Sequence, residues 1–289
     1  MIFVSTACVR KRTIGDTVGY LAERGFRHIE LSGGTKPYPA MRRELDRLAA
    51  RYDLTYRLHN YFPPPPQPFV LNLASLNDEV HRLSMAHAKC ALDLSREFDC
   101  DQYGLHAGFR YDIPVGEIGR CLSRQNLCSQ EEAMKRFVES LDILQEYARE
   151  VTLYIENNVL SAANHAKFDE NPFLVTDTTG HDALRQRSTV ALLLDVAHLK
   201  VSAHSLNRDF PVELETLLAR SDYLHLSDND GLSDSNHGIR RDSPLHLALR
   251  NSIWRGKTVT LEVIEGDEAL QETFAIAEEL LATCNVDSD

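Results

Sequence analysis

Eight short apolar segments alternate with helix-like segments along the whole chain, and this alternation restricts the fold more than any other feature of the sequence. The predicted strands are 2–6, 28–31, 54–60, 102–106, 152–157, 190–195, 223–228 and 258–263. The predicted helices are 14–26, 38–53, 75–98, 129–151, 210–221, 243–252 and 267–284. Strands that alternate with helices pair in parallel through crossover connections. Eight such units predict a single (β/α)8 barrel domain over residues 1–289.

An open, doubly wound sheet is the alternative arrangement of alternating strands and helices. Such a sheet carries a glycine-rich phosphate-binding loop after its first strand in the dinucleotide-binding proteins. Here the segment STACVRKR occupies that place, which disfavours this alternative. We find no linker or low-complexity tract that would mark a domain boundary.

Charge and cysteine usage restrict the partners and the compartment. The formal net charge of −12 repels phosphate backbones at long range, so we expect no nucleic-acid partner. No apolar run reaches the length of a membrane span, and the N-terminus lacks an export signal, so we expect a cytoplasmic protein with no membrane partner. The six cysteines contain no C-x-x-C pair and are expected to be reduced, mostly buried thiols. They are Cys8, Cys90, Cys100, Cys121, Cys128 and Cys284.

Several helix starts have recognisable capping residues. Ser75 and Asp78 are the candidates for the helix at 75–98. Ser129 and Glu132 form an S-x-x-E capping box at the next helix. Pro244 lies near the first turn of a later helix, where its missing N–H costs nothing.

Polar side chains stand at or near the ends of seven of the eight predicted strands. They are Glu30, His59, His106, Glu156, Asp195, His225 and Glu262. The carboxyl ends of barrel strands converge on one mouth, so these groups would share a small volume. Carboxylates crowded there repel one another unless a cation compensates them. A helix N-cap explains one such residue, Asp195, as well as a metal site does, but histidines are poor caps.

Five segments resemble the xylose isomerase-like TIM-barrel superfamily, which includes sugar and sugar-phosphate isomerases and epimerases, and endonuclease IV. They are LHAGF, YIENN, LLLDVAHLK, YLHLSDNDG and VTLEV, in this order along nearly the whole chain. The resemblance implies that Glu156, Asp195, His225 and Glu262 are metal ligands, one from each of the last four strands. It also implies that His198 binds substrate, as in the epimerases, or a further metal, as in the endonucleases.

The function that we favour from the sequence is a divalent-metal-dependent isomerase or epimerase of a small sugar or sugar phosphate. A cation that chelates a carbonyl and a neighbouring hydroxyl acidifies the adjacent C–H and stabilises an enediolate. Glu156 and Glu262 would be the catalytic pair, one removing the proton and the other returning it. His198 would hydrogen-bond a substrate oxygen. A carboxylate-rich site suits manganese, cobalt or magnesium, and zinc is compatible with it.

The alternative is a multi-metal phosphodiesterase or hydrolase similar to endonuclease IV, acting on a small phosphorylated substrate. His59 and His106 stand where that family has histidines on its third and fourth strands, either as further ligands or as substrate-binding groups. Asp234 and His237 follow the seventh strand, where the family has an Asp and a His. The spacing departs by one residue, so Asn236 can occupy the expected position. Two or three zinc or iron ions would distinguish this hydrolase from a single-metal isomerase.

Three further sequence features suggest roles at or near the barrel mouth. Arg240 could clamp a phosphate or carboxylate of the substrate, Glu30 could coordinate a metal or position substrate, and the PPPP segment at 63–66 suggests a rigid wall beside the mouth. A non-enzymatic barrel would require the four metal-site residues to be accidental. Related barrels often pair, so a homodimer is considered, although no surface feature of the sequence decides it.

Overall fold

The computed structural model describes residues 1–282, and its eight strands form one closed parallel barrel in the order β1 to β8. The strands are β1 Ile2–Ser5, β2 His28–Leu31, β3 Thr55–His59, β4 Gln102–His106, β5 Thr152–Glu156, β6 Ala191–Asp195, β7 Tyr223–Leu226 and β8 Thr258–Leu261. Every neighbouring pair, including β1 with β8, is parallel. The predicted (β/α)8 barrel is therefore confirmed.

Ten α-helices lie among the described residues. They are α1 Ile14–Glu23, α2 Met41–Tyr52, α3 Asp78–Glu97, α4 Gln130–Ala148, α5 Ala162–His165, α6 Thr178–Arg185, α7 Val196–Ser205, α8 Phe210–Leu218, α9 Pro244–Arg250 and α10 Asp267–Ala282. All seven predicted helices are present with shorter ends. Helices α5, α6 and α7 occupy stretches for which no helix was predicted. Cys284 and the last two residues of the predicted helix at 267–284 lie outside the described residues.

The helix starts follow the capping predictions with one correction. Ser129 and Glu132 form the expected reciprocal capping box of α4, and Pro244 is in the first turn of α9. The N-cap of α3 is Asn77 rather than Ser75 or Asp78, because the Asn77 side chain accepts hydrogen bonds from two backbone N–H groups of the first turn. The hydroxyl of Ser75 instead accepts the N–H of Asn77, so it shapes the turn before the cap.

The barrel interior below the mouth is filled by side chains, as expected for eight strands. Tyr154, Leu193 and Tyr223 form one cluster inside the barrel. The guanidinium of Arg57 is almost fully buried beneath them and stacks near the rings of Phe3 and Tyr223, at 4.2 and 4.9 Å from the ring centroids. The interior is therefore packed, and any ligand must enter from the carboxyl ends of the strands.

A second, smaller apolar cluster holds together the loops that follow β3, β4 and β5. Its buried members are Val70, Tyr111, Ile113, Leu122, Leu160, Phe168 and Phe173. The backbones of Phe109 and Phe173 also form an isolated antiparallel bridge between two of these loops. Packing of this kind orders long loops that would otherwise be mobile, so one side of the barrel mouth has a fixed wall.

The expectation of mostly buried cysteines is wrong for the residues described. Cys8 and Cys100 are buried, but Cys90 and Cys121 are exposed, Cys128 is partly exposed, and all five are free thiols. Within residues 1–282, no helix combines the length and the apolar character needed to cross a membrane.

Candidate metal centre

The register of the barrel brings the polar strand ends together at one mouth. His106 pairs with Glu156 across β4 and β5, and Asp195 pairs with His225 across β6 and β7. Glu262 directly follows the last residue of β8, and its backbone N–H donates to the carbonyl of Leu226 in β7. Since parallel strands end at the same level, these five side chains point into one small volume.

The first group of donors surrounds the Nδ1 atom of His225. The closest carboxylate oxygens are Glu156 Oε1 at 3.3 Å, Glu262 Oε2 at 3.6 Å and Asp195 Oδ2 at 3.9 Å. Glu156, Asp195 and His225 are almost completely buried, whereas the Glu262 side chain is 14% exposed. Three carboxylates and one imidazole nitrogen, each from a different strand, therefore face one point.

The second group of donors lies on the other side of Glu156. Its Oε2 atom is 3.1 Å from His59 Nε2 and 3.3 Å from His106 Nε2. Gly104 of β4 leaves room for this arrangement, because a Cβ there would lie 3.1 Å from His59 Nδ1 and 2.9 Å from a methyl group of Leu193. The two oxygens of Glu156 thus face two different sets of ligand atoms.

Asp195 performs a second, structural function at the same place. Its Oδ1 atom accepts a 2.7 Å hydrogen bond from the backbone N–H of His198 and so caps helix α7. Its Oδ2 atom makes no hydrogen bond and faces His225. The capping interpretation and the metal interpretation of Asp195 are therefore compatible, because each uses a different oxygen.

His198 lies beside the first group and contacts Asp234. Its Nε2 atom is 3.3 Å from Asp234 Oδ2 and 3.9 Å from Asp195 Oδ2, and its Nδ1 atom is 2.9 Å from the carbonyl oxygen of Asn157. Asp234 is thus the one residue of the loop after β7 that the structure brings to the cluster, with its side chain 27% exposed.

Three other residues considered from the sequence are directed elsewhere. Arg240 is half exposed and forms ion pairs with Glu265 and Glu272 at 2.9 and 3.1 Å, so its charge is engaged away from the donors. His237 is exposed, and its backbone pairs with Asp228 through two 2.8 Å hydrogen bonds that turn the ring outward. The side-chain oxygen of Asn236 accepts a hydrogen bond from Ser227. Among the described residues, no candidate ligand group includes any of the three.

Sequence reasoning missed the role of Asn157, which fastens the ends of β5 and β6 together. Its side-chain amide donates to the carbonyl of Asp195 at 3.0 Å and accepts the N–H of Asp195 at 2.8 Å. With its carbonyl also close to the His198 ring, Asn157 fixes two candidate ligands at once. The only signal in the sequence was its position directly after Glu156, in the YIENN segment.

Burial and mutual interaction shift the pKa values of the carboxyl groups in different directions. Burial raises the pKa of Glu156, but His106 and the other nearby rings lower it by more, so the net pKa lies well below its ordinary value. Burial likewise raises the pKa of Glu262, and the His225 ring outweighs it, giving a pKa of about 2. For Asp195, burial exceeds the effect of the imidazoles and raises the pKa to about 7.

The pKa values of the four imidazoles are likewise shifted in different directions. Burial lowers the pKa of each ring, but nearby carboxylates raise the pKa of His225 and of His198 well above the ordinary value. Glu156 also brings the pKa of His59 above its ordinary value despite burial. The pKa of His106 falls to about 4, because there burial exceeds the effect of Glu156.

The donor set fits a divalent metal. His225 Nδ1, Glu156 Oε2 and Asp195 Oδ2 are buried and make no hydrogen bond of acceptable geometry, and such unsatisfied buried groups are costly unless a cation or water compensates them. The described residues provide overlapping triplets whose ligand atoms all lie within 4.8 Å of one another, among them His59–His106–Glu156 and Asp195–His225–Glu262. Mixed oxygen and imidazole ligands suit manganese, cobalt, zinc or iron.

Solved structures of other proteins have the same fold as this chain. Structures similar to this chain include a D-tagatose 3-epimerase-like protein (17% identity, 98% of each chain covered, TM-score 0.71). Endonuclease IV from Thermus thermophilus is 16% identical, with 96% of this chain and 99% of that chain covered and a TM-score of 0.61. The TTHB071 protein from Thermus thermophilus, soaked with ZnCl2, is 21% identical, with 96% and 97% covered and a TM-score of 0.60.

No curated protein sequence matches the chain. The sequence model of the xylose isomerase-like TIM barrel family matches residues 18–280, which contain every side chain of the candidate metal centre. The chain therefore belongs to the xylose isomerase-like TIM barrel family.

Proposed function

We propose that the protein is a metal-dependent hydrolase that binds two divalent cations at the barrel mouth and cleaves a phosphate ester of a small substrate. The observation that carries this proposal is the position of Glu156, whose Oε1 faces His225 and whose Oε2 faces His59 and His106. A carboxylate with one oxygen in each of two donor groups is suited to bridge two cations.

Each cation would have its own ligands besides the shared carboxylate. Asp195, His225 and Glu262 would hold the first, and His59 with His106 would hold the second. When bound, the cations would act as Lewis acids toward a phosphoryl oxygen and lower the pKa of water at the site. The resemblance to the isomerases favoured a single cation, but in that arrangement His59 and His106, both within 3.3 Å of Glu156, would bind no metal.

Two side chains at this site can contact the reactants directly: Glu262 can contact the attacking water, and His198 can contact the substrate. Glu262 is the most exposed carboxylate of the first group, and its low pKa keeps it ionised, so it can accept a hydrogen bond from an attacking water and orient it. His198 is held at Nδ1 by the carbonyl of Asn157, so its Nε2 edge, shared with Asp234, is the edge that can reach a substrate oxygen.

The charge of the protein supports a small substrate rather than a nucleic acid. The net charge of −12 repels a long phosphate backbone, and Arg240 is occupied by two glutamates. Under this proposal the cations themselves take the place of a basic side chain in binding a single phosphate group.

An isomerase or epimerase of a small sugar or sugar phosphate is the second candidate. It is favoured by the placement of Glu156 and Glu262 at the ends of β5 and β8, from which both carboxylates approach His225 Nδ1. Two carboxylates that approach one cation from different strands could exchange a proton with a carbon between them. Sugar epimerases among the similar structures are consistent with this chemistry but share only the fold.

Metal content and the chemistry of one variant separate the two candidates. For the hydrolase we expect about two cations per chain by elemental analysis and release of p-nitrophenol from bis(p-nitrophenyl) phosphate. His59→Ala should remove one cation and most of this activity. His181→Ala is a matched control, because His181 is equally buried but lies on α6, with Arg220 and Asp182.

Other results would favour the isomerase or remove the second cation from the proposal. One cation per chain, no phosphate-ester cleavage by the zinc- or manganese-loaded protein, and incorporation of solvent deuterium into a ketose would replace the hydrolase with the isomerase. A His59→Ala variant that retains full metal content and full diesterase activity would remove the second cation from the proposal.

A further inference from the structure

Glu30 is a buried carboxylate outside the two donor groups described above, although with His59 and His225 it forms another triplet of possible ligand atoms within 4.8 Å of one another. It lies in β2, is fully buried, and accepts hydrogen bonds from Tyr223 and from the Thr260 hydroxyl, the latter at 2.9 Å. Its carboxylate oxygens are 3.2 and 3.3 Å from Nε2 of His225. β2 and β7 are three strands apart around the barrel, so this contact crosses the interior.

Glu30 and the metal-site carboxylates contact different nitrogens of the His225 ring. The metal-site carboxylates of Glu156, Asp195 and Glu262 approach Nδ1, whereas Glu30 approaches Nε2. The two nitrogens of an imidazole point away from each other. A cation bound at Nδ1 is therefore out of reach of Glu30, and Glu30 is placed to accept the Nε2 proton.

We propose that Glu30 is a positioning residue, which holds the Nε2–H of His225 and so directs the Nδ1 lone pair toward the cation. A metal-bound histidine usually donates its second ring N–H to a carboxylate or carbonyl, and this partner fixes the tautomer and the ring orientation. The inference rests on the proposed metal site but not on the choice between hydrolase and isomerase.

Groups around Glu30 keep its carboxylate in place. Tyr223 and Thr260 both donate to its Oε2 atom, and the buried cation of Arg57 lies below, against the Tyr223 ring. These contacts hold the same carboxylate oxygen that lies 3.3 Å from His225 Nε2. They also explain how a charged group is tolerated in the barrel interior, where an unpaired carboxylate is strongly destabilising.

The test is the zinc affinity of the metal-free full chain, measured by competition with a chromophoric chelator. Glu30→Gln keeps the shape of the side chain, and we expect its zinc affinity to be roughly 10–100-fold weaker than that of the wild type. Glu213→Gln is the matched control, because Glu213 is also a buried glutamate but accepts the backbone N–H of Thr178, outside the centre. The control should bind zinc like the wild type.

A second readout separates positioning from a purely structural role. In zinc-loaded protein with 15N-labelled histidine, long-range 1H–15N spectra should show the wild-type His225 with its proton on Nε2 and its metal on Nδ1. The Glu30→Gln variant should lose this single pattern. A structural role alone would lower the melting temperature and leave the pattern of the folded protein unchanged, which would overturn the inference.

The zinc affinities also show whether this inference alone or the whole metal site is wrong. Equal zinc affinities of the wild type and both variants would refute this inference alone. A wild type that binds no divalent cation would refute the metal site, and with it the proposed function. If Glu30→Gln does not fold, Thr260→Val decides: it removes one donor to Glu30, so weaker zinc binding supports the inference and unchanged binding refutes it.

Discussion

Replacing Asp195 by asparagine separates the two functions that the structure gives to this residue. Asparagine is as good an N-cap as aspartate, so the variant retains the hydrogen bond from His198 N–H that begins α7. It loses the negative charge that Oδ2 presents toward His225 Nδ1. We therefore expect a variant that folds as well as the wild type and binds the first cation poorly.

The expected changes in stability, with and without metal, can be estimated from the surroundings of Asp195. At pH 8 the Asp195 carboxyl is ionised in both the folded and the unfolded chain, and its pKa, raised to about 7 by burial, means that this charge destabilises the metal-free folded state. Removal of the charge should therefore not lower metal-free stability. A cation at a free concentration of 100 times its Kd stabilises the folded state by about 2.7 kcal/mol. That corresponds to a rise in melting temperature of roughly 4–5 °C for a domain of this size.

Thermal unfolding at pH 8, with and without zinc or manganese, measures both effects. The wild type should show the metal-induced rise, whereas Asp195→Asn should show little of it while keeping its metal-free melting temperature. Asp195→Ala should additionally lose about 1 kcal/mol with the cap. The reasoning is refuted if Asp195→Asn shows the same metal-induced rise as the wild type, or if it is already strongly destabilised without metal.

Four further predictions follow from the same geometry. Glu262→Gln should abolish turnover under either proposed chemistry while far-ultraviolet circular dichroism stays unchanged; full activity would remove Glu262 from the site. Metal binding must displace the proton from His225, whose pKa is raised, so affinity should increase with pH and calorimetry in different buffers should show proton release. In the metal-free protein the stability contributed by protonated His225 is full below the unfolded pKa of about 6.5 and is lost as pH rises through the higher folded value, so the metal-free melting temperature should fall on the alkaline side unless metal is added. Asn157→Ala should cost about 1–3 kcal/mol in chemical denaturation, because the buried N–H and carbonyl of Asp195 lose their partner; a change well below this would show that water replaces the amide.

The barrel and the polar strand ends were predictable because they depend on local pattern and on one global rule. Apolar strands alternating with amphipathic helices predict parallel pairing, and closure then places every strand end at one mouth. The ends of the helices were less certain where two good capping residues are close together. Ser75 and Asn77 are both suitable N-caps, and only the three-dimensional path of the turn shows that Asn77 caps α3.

The details of the site that sequence reasoning missed depend on contacts between distant segments. The side of His225 that faces Glu30 follows from the closure of β1 on β8, and nothing in the spacing of the two residues indicates it. In the loop after β7, the spacing of Asp234 and His237 suggested two further ligands. The backbone pairing of His237 with Asp228 turns that histidine outward, while Asp234 reaches His198.

The most direct test of the account is the anomalous scattering of crystals of the protein soaked in zinc, measured above and below the zinc absorption edge. We predict a strong peak within about 2.0–2.2 Å of His225 Nδ1 and of carboxylate oxygens of Asp195, Glu262 and Glu156, with a second peak beside His59 and His106. A crystal with full zinc exposure and no peak among these four residues would contradict the metal centre on which the proposed function depends.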